Sequence, residues 1–149
     1  MFVDNRGDIM CKLGDIIVVK EFKDECGEIV PKHSFVVIND ESDFVEGLKY
    51  DFVSNMMCSF HSEEHKKKKL RYEENMEIKE ELISGENINS NEGYIKADKL
   101  YYFDKNLVEY QVIAHMEAEL LDELVQLILM LHDKDKLNIV TTNLETVPN

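Results

Sequence analysis

The sequence is poor in cysteine and contains no long apolar run. Its 149 residues include three cysteines, Cys11, Cys26 and Cys58, which form no C-x-x-C pair. An odd number of cysteines without that spacing predicts neither a disulfide framework nor a cysteine zinc site, and it fits a reducing compartment. No stretch approaches the roughly 18 uninterrupted apolar residues of a spanning helix, and the acidic first residues lack the apolar core of a signal peptide. We therefore expect a cytoplasmic protein without membrane contacts.

Basic residues are also scarce. The chain has 17 lysines and arginines against 31 aspartates and glutamates, and its net charge is -14. Because such a field repels phosphate groups, this composition argues against indiscriminate binding to nucleic acid. One basic island stands out, and two interpretations of it stay open: a solvated, mobile loop and a local RNA-binding site. The island consists of Lys66, Lys67, Lys68, Lys69 and Arg71.

Short apolar runs separated by turn residues predict a mainly β protein. The length predicts one domain, which we place at residues 1–133, followed by a flexible tail at 134–149. We expect the second strand to start after Pro31, since proline cannot donate to a central ladder. Residues 61–72 are expected to form a charged loop. The predicted strands lie around residues 16–20, 35–38, 50–60, 76–78, 94–95, 100–103 and 110–113, and together they indicate a small barrel.

The hydrophobic period changes near the end of the chain. Between residues 117 and 132, apolar side chains recur at spacings of three and four, which predicts one long amphipathic helix. We expect this helix to close the barrel or to form part of a dimer contact, which gives an α+β fold. The stripe consists of Leu120, Leu121, Leu124, Val125, Leu127, Ile128 and Leu131.

The order of four segments resembles the MazF/PemK family of toxin endoribonucleases. These segments are G-D-I-I-V-V at 14–19, K-H-S-F-V-V-I at 32–38, M-M-C-S at 56–59 and Y-I-K-A-D-K-L at 94–100. The family's usual Arg-Pro before the second strand reads His33-Ser34 here, and the insertion at 61–92 is longer and more charged than in the family. The resemblance implies a small SH3-like barrel.

The resemblance also implies a function. Family members cut single-stranded RNA without metal or another cofactor, by attack of the 2′-hydroxyl, as homodimers held inactive by a cognate antitoxin. Carried over to this chain, the catalytic positions fall at His33, near the family's arginine, and at Ser59, with Lys32 as a cation. Two other interpretations stay open: His33 as a polar residue at a strand start, and Ser54 in place of Ser59 if the register differs.

A second motif is a weaker indication. His61 and His65 belong to an H-x-x-E-H pattern, which in a well-formed helix can bind zinc. Four lysines follow directly, and their charge opposes a bound dication. We therefore favour a solvated loop over a zinc site.

Two further functions remain as alternatives. One is a non-catalytic module on the same barrel that acts through protein contacts, as a gyrase-poisoning relative or as a regulatory protein of a mobile element. The other is a structural protein whose C-terminal helix is an oligomer contact. Convergence of His33 and Ser59 in one cleft with Lys32 or Arg71 would favour the nuclease, because a binding module does not need it.

Overall fold

The computed structural model describes residues 10–85 and 93–145, which form a mainly β structure with two helices. The helices are α1 (Glu63–Leu70) and α2 (Ala118–Asp133), and a 3-10 turn spans Glu80–Leu82. The strands are β1 (Asp15–Lys23), β2 (Ile29–Asn39), β3 (Asp43–Val45), β4 (Leu48–Tyr50), β5 (Phe52–Ser59), β6 (Asn75–Glu77), β7 (Ile83–Ser84), β8 (Gly93–Lys96), β9 (Lys99–Phe103), β10 (Tyr110–Met116) and β11 (Asn138–Asn143).

Nine of these strands form one curled, half-barrel sheet. Its order is β11-β9-β5-β2-β1-β10-β7, and β8 pairs with β5 and with β6. All pairs are antiparallel except the parallel pair of β11 with β9. The strands β3 and β4 form a separate hairpin. The prediction of a small, mainly β fold with barrel-like curvature is confirmed.

Alternate residues of the strands bury opposite faces of the sheet, as the period of two requires. On one face, Ile16 and Val36 belong to a core that also contains the buried side of α2. On the other, Ile17, Phe35 and Phe103 form an aromatic-rich core. At its start, β5 is buried on both faces, as predicted for a central strand.

Helix α2 confirms the predicted C-terminal helix. Its buried side chains are Leu120, Leu124, Ile128 and Leu131, and all four belong to the first core. The helix therefore covers one face of the curled sheet. Neither α1 nor α2 has the length and apolar character needed to cross a membrane, and these are the α-helices of the described ranges.

Pro31 lies inside β2, so the prediction that the strand starts after it is wrong. Strand β2 begins at Ile29, and Pro31 pairs with Glu21 of β1. The pairing of β2 with β5 begins only at Ser34. Because Pro31 has a single neighbouring strand, the missing N–H costs no hydrogen bond with β5.

The flexible tail predicted from residue 134 is wrong for residues 138–143. These residues form β11, where Val140 and Asn143 are buried. The Asn143 side chain accepts from the Lys23 N–H at 2.7 Å and donates to the Lys23 carbonyl at 2.9 Å. A single side chain thus pairs with the backbone at the end of β1 as a strand would.

The charged loop predicted at 61–72 is also wrong, because it contains α1. Ser62 caps the helix by accepting from the His65 N–H at 3.1 Å. Glu63 and Glu64 lie in the first turn and lysines in the last, which suits the helix dipole. Helix α1 has no buried residue, so capping and charge order stabilise it more than apolar packing does.

Candidate functional site

The candidate site lies where β2, β5 and β8 run side by side, next to α1. Ser34 of β2 pairs with Met57 of β5, and Cys58 of β5 pairs with Tyr94 of β8. Helix α1 follows β5 after three residues, so its first turn returns to the end of the same strand. The topology thereby brings residues 32–34, 57–59 and 61–69 to one place.

These segments line an open groove of about 560 Å³. We call it the histidine groove, defined by the polar side chains of Lys32, His33, Ser59, His61, His65 and Lys69. All three predicted catalytic residues therefore line one groove, and Lys69 of the basic island joins them. The two histidines at positions 61 and 65, which we expected in a solvated loop, line it as well.

The sheet pleat divides the predicted catalytic residues. Since Ser34 and Met57 pair directly, Lys32 and Ser59 point to their face of the sheet, and His33 points to the other. On the first face the groove adjoins a smaller pocket of about 270 Å³ lined by isoleucines, which also includes Lys32 and Ser59. Lys32 and Ser59 line both the pocket and the groove and therefore form the rim between them, whereas His33 lines only the groove.

His33 is half-buried against the aromatic core. Its ring packs edge-on against Phe22 and Phe35, each with ring centroids 6.4 Å apart. Desolvation lowers the pKa of His33 below its usual value, and a hydrogen bond with the Met57 backbone opposes this shift. The imidazole is therefore neutral at neutral pH, which is the form that accepts a proton.

His65 has a fixed tautomer at the opposite side of the groove. The backbone N–H of His61 donates to His65 Nδ1 at 3.1 Å, so neutral His65 carries its proton on Nε2. The ring centroids of His61 and His65 lie 4.7 Å apart. Desolvation and the nearby charges of His61, Lys69 and Lys68 lower the pKa of His65. This side chain therefore offers an N–H donor rather than a cation.

Cys58 and Tyr94 also line the groove. Burial raises the pKa of the Cys58 thiol, although Lys96 and a hydrogen bond with Tyr94 oppose the shift. Burial also raises the pKa of Tyr94 to about 12. Both groups are protonated at neutral pH, so Cys58 lacks the thiolate that nucleophilic chemistry needs. The Tyr94 ring stacks on Phe60 with centroids 5.2 Å apart.

Helix α1 distributes the basic island over two sides. Lys69 lines the histidine groove, one turn beyond His65. Lys66 instead pairs with Glu77 at 3.2 Å and lies over the Phe60 ring. The remaining members, Lys67, Lys68 and Arg71, line a separate surface cavity with Glu64 and Tyr72. Of the five predicted RNA-binding residues, Lys69 lines the histidine groove and Arg71 does not.

Two further predictions concern serine and metal. Ser54 is fully buried, and its hydroxyl oxygen has no hydrogen-bond partner among the described residues, so it does not serve as an alternative to the exposed Ser59. Within residues 10–85 and 93–145, no three histidine, cysteine, aspartate or glutamate side chains are grouped as a metal site would require. His61 and His65 contact each other without a third such ligand.

Sequence reasoning missed the contribution of His61 and His65 to the groove. The available signal was Ser62 followed by two glutamates and a run of lysines, which is the pattern of a capped helix with charges ordered along its dipole.

Comparisons of the chain with protein-family models, with curated proteins and with solved structures find no match.

Proposed function

We propose that this protein is a metal-independent endoribonuclease that cuts single-stranded RNA, on a barrel of the SH3-like, MazF/PemK type. One observation carries the proposal: Lys32, His33 and Ser59 line a single groove together with two more histidines and Lys69. Cleavage of RNA without metal needs a base, an acid and groups that stabilise charge on phosphorus. The groove contains side chains suited to each of these roles.

His33 is the base in this proposal. Its half-buried ring is neutral at neutral pH because desolvation lowers its pKa. It takes the proton of the 2′-hydroxyl while that oxygen attacks the neighbouring phosphorus. The bond from phosphorus to the 5′-oxygen breaks, which leaves a 2′,3′-cyclic phosphate on one fragment and a 5′-hydroxyl on the other.

Cations and neutral donors stabilise the phosphate charge. Lys32 on the rim and Lys69 on α1 supply two ammonium groups to the groove. His65 donates through Nε2, since its Nδ1 already accepts from the His61 backbone. The exposed Ser59 hydroxyl adds a donor on the rim. We assign the proton for the leaving 5′-oxygen to His61, the third imidazole of the groove.

The proposal includes a cytoplasmic homodimer and a cognate antitoxin as partners. Two large apolar side chains of α2 favour a contact with a second copy, since Leu129 is 52% exposed and Met130 37% exposed. The open histidine groove offers an antitoxin a site where binding would exclude RNA.

A non-catalytic binding module is the second candidate, and the pleat is the observation in its favour. His33 and Ser59 point to opposite faces of the sheet, although both line the groove. A nuclease needs both at one phosphate, whereas a module that acts through protein contacts does not.

The experiment compares wild type, His33→Ala and His132→Ala on a long single-stranded RNA in excess EDTA. His132 is the matched control, because its side chain is 74% exposed at the end of α2. We expect wild type and His132→Ala to leave 2′,3′-cyclic phosphate ends, identified by mass spectrometry. His33→Ala should cut about 10²–10⁴-fold more slowly, as loss of a general base predicts. Intact RNA after incubation with folded wild type would favour the binding module.

A further inference from the structure

Three cavities follow one another along α1. The histidine groove is the first, and Lys69 also lines the second, which has a volume of about 290 Å³. The second shares Lys68 and Tyr72 with the third, of about 480 Å³. The three cavities therefore form one continuous surface path. We call its part outside the groove the lysine track, defined by Lys68, Lys69, Arg71, Tyr72, Lys96 and Lys99.

The lysine track is positive although the chain is acidic. The cavity of about 290 Å³ is lined by four lysines and by two carboxylates, Glu74 and Asp98. The cavity of about 480 Å³ is lined by three basic residues and by one carboxylate, Glu64. Lys99 donates to Glu25 at 2.8 Å, which leaves the remaining lysines as the main attraction for phosphate. Lys96 lies close enough to the groove for its charge to affect the pKa of both His33 and Cys58.

Tyr72 is the aromatic residue of the track. It comes one residue after Arg71, which caps the end of α1, the residue is 49% exposed, and it lines both cavities. Its N–H donates to the Lys69 carbonyl at 3.3 Å, and the Asn75 side chain donates to the same oxygen at 2.9 Å, so two hydrogen bonds hold this turn. An exposed ring among lysines is the arrangement that binds single-stranded nucleic acid, because a base stacks on the ring and phosphates contact the cations.

We propose that the lysine track binds single-stranded RNA on one side of the scissile phosphate, with a base stacked on Tyr72 and phosphates on Lys69, Lys96 and Lys68. This inference rests on the proposed function for the identity of the ligand. It adds Tyr72 and Lys96, which the sequence did not indicate. It also predicts that an RNA long enough to reach Tyr72 binds more tightly than one that fills only the groove.

The test is binding without cleavage. Fluorescence anisotropy measures the Kd of His33→Ala protein for a fluorescein-labelled pool of random 12-nucleotide RNA. Adding Tyr72→Ala should weaken binding about tenfold, and Tyr72→Phe should restore it, since stacking needs only the ring. Phe44→Ala is the control, because Phe44 is 60% exposed on the β3–β4 hairpin and should leave the Kd unchanged.

Salt dependence tests the phosphate contacts. Lys96→Gln should lower the slope of log K against log salt by about 0.7, the value for one phosphate contact on a single strand. Lys49→Gln on the hairpin should leave the slope unchanged. Circular dichroism melting of each variant verifies that it is folded.

The outcomes separate this inference from the proposed function. If Tyr72→Ala and Phe44→Ala bind alike, the track is overturned, even when the wild type cuts RNA. If binding depends on Tyr72 but wild type cuts no RNA, the track is supported and the nuclease is overturned. Tyr72→Ala should not weaken binding of an RNA duplex of the same length, because paired bases do not reach the ring. If it weakened the binding of duplex and single strand equally, the proposed stacking would be overturned.

Discussion

The two helices differ in almost every physical respect. Helix α2 has 16 residues and buries four large apolar side chains against the sheet. Helix α1 has 8 residues, of which none is buried. Helix α2 therefore contributes to the core, whereas helix α1 presents charged and polar side chains to the histidine groove. The comparison indicates that stability and the candidate chemistry depend on different parts of this chain.

Local contacts hold α1 in place. Ser62 caps its N-terminus, Lys66 pairs with Glu77, and the His65 ring lies 6.3 Å from the rings of Phe60 and Tyr94. Each contact is exposed or partly exposed and is worth little alone. We therefore expect α1 to open locally more readily than the rest of the fold, as binding elements commonly do.

The largest effect on stability should come from α2. Leu124→Ala removes a fully buried side chain from the core beneath the helix. We expect the free energy of unfolding to fall by about 2–5 kcal/mol, because the cavity adds to the lost burial. Equilibrium unfolding in urea measures the change.

Gln126→Ala is the matched control on the same helix. Gln126 is exposed, so its truncation should change stability by less than about 0.5 kcal/mol. If the two variants lost the same stability, α2 would not be the core element that the structure shows.

An intermediate effect is expected from Ser62→Ala, which removes the cap of α1. Loss of an N-cap lowers the free energy of unfolding by about 1 kcal/mol. Ser62→Asp should retain most of that stability, because aspartate is also a good N-cap residue. Hydrogen exchange at the His65 and Lys66 amides should become about fivefold faster, while the urea midpoint changes less than with Leu124→Ala. RNA cleavage should slow as well, because the cap fixes His65 beside the groove. Exchange as slow as in wild type would show that α1 does not depend on its cap.

The smallest effect is expected from Glu77→Gln, which removes the partner of Lys66 across from α1. Since both side chains are partly exposed, the pair should contribute at most about 0.5 kcal/mol. Thermal melting at low and at high salt measures it, and the difference from wild type should shrink as salt rises. A loss above 2 kcal/mol would mean that α1 is tied to the sheet far more strongly than exposed contacts allow.

Elements with a strong hydrophobic period could be predicted from the sequence. The stripe of α2 and the apolar runs of β1, β2 and β5 reveal their type, because each must bury one or both faces in a core. The prediction that Lys32, His33 and Ser59 share one site came from a family resemblance and not from hydrophobic periodicity. Their proximity requires β2 and β5 to be neighbours, which the residues alone do not specify.

The remaining features depend on contacts between distant residues. Strand β11 has one buried apolar residue, Val140, and its pairing with β9 joins residues about forty positions apart, so no local pattern indicated it. Helix α1 lacks an apolar stripe, and its cap was the available signal. The opposite orientation of His33 and Ser59 follows from the pairing of Ser34 with Met57, a register set by packing.

The most direct test of the account is the rate of RNA cleavage against pH, for wild type and His33→Ala in excess EDTA. Because burial lowers the pKa of His33, its ring stays neutral as pH falls to about 6.5, the usual histidine value. We predict that the wild-type rate falls as pH drops through the lowered pKa of His33, and that His33→Ala shows no such fall. Folded wild type that leaves RNA intact, or identical profiles for the two proteins, would contradict it.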